Sequence, residues 1–401
     1  MLGKAVGAHQ PLMEAGLDSL GATELQATLG TAFGLQLPAT TTIDYPTSAA
    51  LAAHIGLLLG TVHLPAGSGA TALPWQPDSS EATCACKLVA VACRYPGSEP
   101  NDGQAHFAET LRGEANLPSP APLQRWDMEK YYAPEAAGGL TMYVRLGAFV
   151  PDIDSFDAAL FRLSLAEGQA MDPQTRILLE QTWTALADAA AAMPAAPTER
   201  TGVYVGCMYQ EYTQLQFNLG LKIGPGIATG NGLSYMVGRL SYAFGLTGPS
   251  VSTDTACSSS LGLLAGETLM GVAGGVNAML LPITTCTISG LQALSPDARC
   301  KTFDASADGY GRGEGFAVAV LARADAPCAL PLALVAGSAI NQDGRSSSLT
   351  APNGPSQSSL VTEVLEAAGL APRAVSGVAV HGTGTQLGDP IERAPPVSQV
   401  P

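Results

Sequence analysis

The residues best equipped for chemistry stand in two dense stretches. The first is Asp254-Thr255-Ala256-Cys257-Ser258-Ser259-Ser260-Leu261, placed directly after the β-branched run Val251-Ser252-Thr253. A cysteine where a strand turns into a helix sits against the helix N-terminus, whose backbone N–H groups favour the thiolate, the nucleophilic form. The second stretch is Val380-His381-Gly382-Thr383-Gly384-Thr385-Gln386-Leu387-Gly388-Asp389-Pro390-Ile391-Glu392. It sets an imidazole among glycines that let the backbone approach a bound group closely. Taken singly, Cys257 reads as an inert thiol and His381 as a satisfied core histidine. Taken together, they also suit the Cys–His dyad of a cysteine hydrolase, although papain-type local strings are absent. A third candidate is Ser19 in Gly16-Leu17-Asp18-Ser19-Leu20, a hydroxyl at the start of an amphipathic helix beside a carboxylate. The segment Gly309 to Gly315 has G-x-G-x-G spacing, which is not the dinucleotide pattern.

These residues need elements to position them. Asp18 and Ser19 can cap a helix through Leu20, Leu25, Leu29 and Phe33, which Gly34 stops. Pro38 to Pro46 reads as a loop with at most one short turn, and Pro46-Thr47 opens a last helix through Leu51, Ile55 and Leu58. Residues 1–60 therefore form an all-helical module, and 61–85, rich in Gly, Ala, Ser, Thr and Pro, read as a linker around Trp75. From residue 86 the pattern changes. Leu88–Cys93, Val203–Gly206, Val251–Thr255, Phe316–Leu321, Leu332–Ile340 and Val375–Val380 read as strands. Phe107–Leu111 and Thr175–Ala190 read as helices. Alternating, mostly apolar strands with 45 glycines predict an α/β protein with sheets covered on both faces.

Composition narrows the function. Apolar residues make up 46% of the chain and charged residues 13%, with net charge −15 and a pI near 4.6. No basic patch is available to neutralise phosphates, so no nucleic-acid partner is expected. The start of the chain lacks a signal-peptide pattern, so a cytoplasmic location is expected. Met270 to Pro296 is uncharged, but its glycines, prolines and hydroxyl residues predict a buried strand-turn-strand unit rather than a membrane span. The eight cysteines are scattered and read as thiols. Cys84 and Cys86 have no partners at zinc-finger spacing, so no metal is expected.

The two long stretches together resemble the nucleophile and first histidine of the ketosynthase domain of type I polyketide and fatty acid synthases. Further strings agree: Ala92-Cys93-Arg94-Tyr95-Pro96-Gly97, Arg125-Trp126-Asp127, Ala170-Met171-Asp172-Pro173-Gln174, Gly274-Gly275-Val276-Asn277, Thr302-Phe303-Asp304, Ala307-Asp308-Gly309-Tyr310-Gly311-Arg312-Gly313-Glu314-Gly315 and Asn341-Gln342-Asp343-Gly344. The Ser19 stretch, with Asp44-Tyr45-Pro46-Thr47 downstream, resembles the attachment site of acyl carrier domains. The resemblance implies a thiolase-type αβαβα condensing fold over 86–401, preceded by a carrier bundle over 1–60. It implies Cys257 as the acyl-accepting nucleophile and His381 as a hydrogen-bond donor to the oxyanion. Thr383 and Thr385 match the threonines that bind the pantetheine arm, and Ser19 would carry covalent 4′-phosphopantetheine.

The implied reaction is decarboxylative condensation of an acyl-cysteine with a carrier-bound malonyl unit. The implied partners are acyl- and malonyl-loaded carrier domains, a phosphopantetheinyl transferase and a second copy of the chain. Asp304, Asp308 and Glu314 are expected to brace loops around the site. Two departures from the family are visible. Only Leu261 to Val272 separate the nucleophile from Gly274-Gly275, shorter than the family by about two to three helical turns. After Glu392, where the family continues to a lysine and a second histidine, the chain reads Arg393-Ala394-Pro395-Pro396 and ends at Pro401. The sequence thus predicts a carrier lacking most of its first helix and a ketosynthase truncated at its C-terminus, with a catalytically incomplete or scaffold piece as the alternative.

Overall fold

A computed structural model describes residues 6–13, 15–17, 19–38, 40–60, 86–97, 108, 112, 116–135, 139–193, 200–221, 224–259, 268–328 and 330–393. In chain order the first elements are α1 (Ser19–Phe33), α2 (Thr41–Asp44), α3 (Ser48–Leu58), β1 (Cys86–Arg94), β2 (Ser119–Pro120), β3 (Leu146–Gly147), α4 (Leu165–Ala170), α5 (Pro173–Ala192) and β4 (Gly202–Cys207). Then come α6 (Tyr212–Asn218), α7 (Pro225–Gly230), α8 (Leu233–Phe244), β5 (Ser250–Thr253), β6 (Met270–Asn277), α9 (Pro282–Gly290), β7 (Gly315–Arg323), β8 (Ala333–Val335), α10 (Gly354–Ala367) and α11 (Gly388–Glu392). The chain divides into two units: 1–83 with 302–305 and 339–401, and 84–301 with 306–338.

The larger unit is built on a six-stranded mixed sheet in the order β5-β4-β6-β7-β1-β8. β4 runs parallel to β5 and β6, and β7 is antiparallel to both β6 and β1. The parallel register sets Tyr204 beside Val251 and Ala273. Asp172 starts α5: its Oδ1 accepts from Gln174 N at 2.8 Å, and Pro173 takes the first helical position, where its missing N–H costs nothing. α5 packs against β1 and β7. Its Ile177, Leu178 and Leu179 meet Val203, Val205, Val272, Phe316, Val318 and Val320 in a core from which water is excluded.

Five expectations are corrected here. Among the described residues only one face of this sheet is sealed; the alternate residues Ala273, Gly275, Ala317 and Ala319 are half-buried along a cavity. The uncharged stretch from Met270 is strand-turn-helix, because Pro282 fixes a helix start and α9 follows it. Leu332–Ile340 yields only β8, and Val375–Val380 is not a strand, since among the described residues no neighbouring strand takes up its backbone hydrogen bonds. β5 ends at Thr253, where side chains begin to satisfy the backbone. Of the expected helix at 107–111 only residue 108 is described, and it is helical; Trp75 lies outside the described residues.

The smaller unit contains the predicted helical module. α1 ends at Gly34 with φ 66°, a left-handed stop. α2 is the single short turn expected between Pro38 and Pro46. Thr47 caps α3, its Oγ1 accepting from Ala50 N at 3.1 Å. Leu12, Leu17, Ala22 and Leu51 form the core, with Leu25, Leu29 and Tyr45 packed on it. Tyr45 stacks on His54 at 3.8 Å. α10 and α11 belong to the same unit.

Candidate functional site

Cys257 follows β5 on a tight turn, Ala256–Ser258. Ala256 has φ 54°, a left-handed conformation costly for a residue with a Cβ. Hydroxyl groups hold the turn. Thr255 N donates to Ser259 Oγ at 2.8 Å, Ser259 Oγ donates to Ala256 O at 2.7 Å, and Thr253 Oγ1 donates to Ser259 O at 2.7 Å. Asp254 Oδ1 accepts from Ala256 N at 3.1 Å. This explains the Thr and Ser density: side-chain hydrogen bonds replace the ladder bonds that end at Thr253. The result is an exposed Cys257 lining a cavity of about 840 Å3. The helix start expected after Ser259 lies outside the described residues.

The cavity wall is largely apolar, with Met208, Ile288 and Leu291, and its polar members include Tyr209, Asn277, Tyr310, Arg312 and Glu314. Arg312 Nη1 donates to Thr285 Oγ1 at 2.6 Å, and the guanidinium lies 5.7 Å from the Tyr209 ring centre. Burial raises the Tyr209 and Tyr310 hydroxyls above the usual range, against the pull of Arg312. Two buried carboxylates tie loops together. Glu314 accepts from Val150 N and Met279 N, each at 2.7 Å, and pairs with Arg125 at 3.1 Å. Glu211 accepts from Leu280 N and Leu281 N, each at 2.7 Å, and from the Thr284 hydroxyl at the start of α9. Gln174 bridges the same region, donating to Tyr209 O at 2.8 Å and accepting from Ala278 N at 3.0 Å. Gly309, at φ 120°, and Gly311 lie so close to the Ala293 and Ala298 carbonyls that a side chain would collide with them. Glu314 is thus a loop brace, as expected, and Asp308 pairs with Lys301 at 2.6 Å.

His381, Thr383 and Thr385 belong to the smaller unit. Their loop is pinned by two carboxylates to which the sequence reading gave no role. Glu392 accepts from His381 N at 3.0 Å and from Gly382 N at 2.8 Å. Asp389, 4% exposed, accepts from Gly384 N at 3.0 Å and from Phe303 N at 2.7 Å. Gly382 and Gly384 take φ 59° and 64°, so the loop doubles back twice where only glycine does so cheaply. The Thr383 and Thr385 hydroxyls lie 3.3 Å apart, and Thr302 Oγ1 donates to Gly382 O at 2.5 Å. Asp389 and Glu392 recur at one-turn spacing on α11, the one signal by which they were findable. Ser19 is the first residue of α1; Asp18 lies outside the described residues. Among the described residues no group of His, Cys, Asp or Glu could hold a metal, and no helix is long and apolar enough to cross a membrane.

A mixed sheet with a cysteine on a strained turn after an edge strand, preceded by a three-helix module, is the arrangement of a condensing-enzyme domain behind a carrier. The profile described as "Beta-ketoacyl synthase, N-terminal domain" matches residues 87–326, and that described as "Beta-ketoacyl synthase, C-terminal domain" matches 332–395. "Phosphopantetheine attachment site" matches 2–55. The chain belongs to the beta-ketoacyl synthase family and has its thiolase-type fold, with a carrier-type module in front. It is 42% identical over 405 residues to polyketide synthase GfsE of Streptomyces halstedii, covering 97% of this chain and 10% of that protein. It is 39% identical over 400 residues to erythronolide synthase EryA2 of Saccharopolyspora erythraea, covering 96% of this chain and 11% of that protein. Among solved structures, the oxazolomycin ketosynthase domain OzmH KS7 of Streptomyces albus JA3453 matches with a TM-score of 0.70 and 36% identity, over 77% of this chain and 54% of that one. The ketosynthase from module 6 of the bacillaene synthase of Bacillus subtilis 168 matches with a TM-score of 0.65 and 33% identity, over 77% of this chain and 53% of that one. The chain therefore spans about a tenth of these curated relatives.

Proposed function

We propose that residues 86–401 act in polyketide chain elongation by decarboxylative condensation, with residues 1–60 as an adjacent carrier joined through 61–85. The observation that carries this reading is Cys257: an exposed thiol, thrown out by a positive-φ turn, on a cavity with a largely apolar wall. An apolar wall suits an acyl chain, and the strained turn keeps the sulfur accessible rather than packed.

In this reading Cys257 Sγ attacks the carbonyl of an acyl thioester, and the carrier thiol leaves with the proton. Sulfur replaces sulfur, so the step is nearly balanced in energy. Loss of CO2 from a malonyl thioester then leaves an enolate, whose carbon attacks the Cys257 thioester. The new C–C bond forms, the C–S bond breaks, and the cysteine sulfur is released as thiolate. His381 donates a hydrogen bond to the developing oxyanion; such donors count for most in a site that excludes water. Glu392 holds the backbone on either side of that imidazole. Thr383 and Thr385 bind the polar groups of the arm that brings in the malonyl unit.

Ser19 is the attachment point of the 4′-phosphopantetheine arm, whose thiol would carry acyl groups as thioesters. As the first residue of a 15-residue helix that follows a Gly16 turn at φ 101°, it has the backbone setting of a modified serine at the end of a bundle. A phosphopantetheinyl transferase and acyl- and malonyl-loaded carriers are the partners this requires.

Intact-mass spectrometry after incubation with an acyl thioester tests the first step. One added acyl group that disappears in Cys257→Ala supports the reading, whereas acylation that persists in that variant overturns it. Incubation with coenzyme A and a transferase tests the carrier. One added arm, absent in Ser19→Ala, is expected, and an unmodified protein beside a modified control carrier would remove that role.

A further inference from the structure

We propose that the α1–α3 module docks on the start of α10 through Asp44, so that the carrier is latched to the downstream part of its own chain. This rests on the packing of the module and is independent of which reaction Cys257 performs.

The contact joins residues far apart in sequence. Asp44 ends α2, and Gly354 opens α10, a helix of 14 residues. Asp44 Oδ1 is sealed from solvent. A Cβ built on Gly354 would lie 2.9 Å from that oxygen, and 3.5 Å from Ile391 Cγ2 on α11. The missing side chain at 354 is therefore what allows the carboxylate to approach. The other groups at this helix start are already committed. Asn353 Oδ1 caps it by accepting from Ser356 N at 3.2 Å, and Asp343 Oδ2 accepts from Asn353 N at 3.2 Å. The first N–H groups of a helix have no intrahelical partner and carry partial positive charge, so a carboxylate placed there is stabilised. Burial raises the Asp44 carboxyl above its usual range, opposed by the Thr40 hydroxyl, the Gly354 N–H and His54. A carboxylate that sits in so costly a position marks a contact that is specific rather than incidental. The docking residue is 44 and not 19, so the contact itself does not use Ser19.

Hydrogen exchange measured by mass spectrometry on the full chain tests the latch. Asp44→Asn removes the charge from one side, and Gly354→Val fills the approach from the other. Both should speed exchange about tenfold at residues 356–357 and at 42–45, the factor set by loss of a carboxylate placed against a helix N-terminus. Because Gly354 lies outside the module, its variant cannot act by loosening the helices themselves. Modification of Ser19 at the wild-type rate in Gly354→Val would show the module still folded. Exchange that changes only on the mutated side, or wild-type amides at 356–357 exchanging at unstructured-peptide rates, overturns the latch while leaving the roles of Cys257 and Ser19 untouched.

Discussion

At the scale of single residues, exposure sorts the thiols. Burial pushes the Cys207 thiol up to about 12 and raises Cys93 and Cys286 as well. Alkylation needs the thiolate, so these three should react last. Brief, limiting iodoacetamide followed by peptide mapping should find Cys257 labelled well before Cys207, Cys93 and Cys286; equal labelling of all four would mean that the Ala256 turn does not form. A second residue-scale expectation concerns Gly311. A methyl group there collides with the Ala298 carbonyl, so Gly311→Ala should cost roughly 1–3 kcal/mol in urea unfolding. An unchanged midpoint would show that the loop yields. Cys257, His381 and the two threonines were singled out because each lies in a long contiguous string. Their supports were not. Glu211 binds amides 69 and 70 residues away, and Glu314 binds one 164 residues away. No local pattern announces a carboxylate whose partners are supplied by other loops.

At the scale of elements, α5 has a titratable start. Asp172 is almost wholly buried and its pKa is pushed up to about 6, first by desolvation, with the Gln174 bonds and Arg176 opposing and Glu211 adding to it. The folded state therefore holds this proton more tightly than the unfolded chain. Its stabilising contribution is full below the unfolded value of 3.8 and is lost as pH rises through about 6. Urea unfolding at pH 5 and pH 7 should show wild type losing about 1 kcal/mol relative to Asp172→Asn. The asparagine is neutral at both values and still caps the helix. A pH-independent difference between the two proteins would place the Asp172 pKa in the ordinary range. The same helix shows what periodicity conveys: cap, Pro and apolar spacing were all local, and the element appeared where expected. α9 was misread because its Thr and Ile favour strands, while Pro282 and the Glu211 carboxylate beneath its first turn favour a helix. Residues 375–380 were misread for the opposite reason. Their alternation suits a strand, but a strand exists only beside a neighbour, and sequence does not show which edge is available.

At the scale of the whole molecule, the sheet formed by the described residues ends at β5, and we propose that this edge pairs with a second copy. β5 bonds to β4 on one side, and it carries no charged residue, proline or bulge of the kind that protects edge strands. Val251 is 38% exposed, and on α8, packed against this strand, Tyr242 is 86% exposed. Two such edges related by a two-fold axis would pair antiparallel and satisfy each other's backbone groups. Opposing this is the net charge of −15 on each chain, a repulsion that salt screens and that does not weaken backbone pairing. The balance gives a signed prediction. Light scattering at micromolar concentration should give twice the 40.8 kDa chain mass, and association should tighten as salt rises. Val251→Lys with Ser252→Lys places charge on the edge and should give monomer at every salt concentration, with the far-ultraviolet circular dichroism of wild type. Wild-type protein that stays monomeric in high salt would show that β5 is not a pairing edge. A lysine variant that still dimerises would move the interface elsewhere on the molecule.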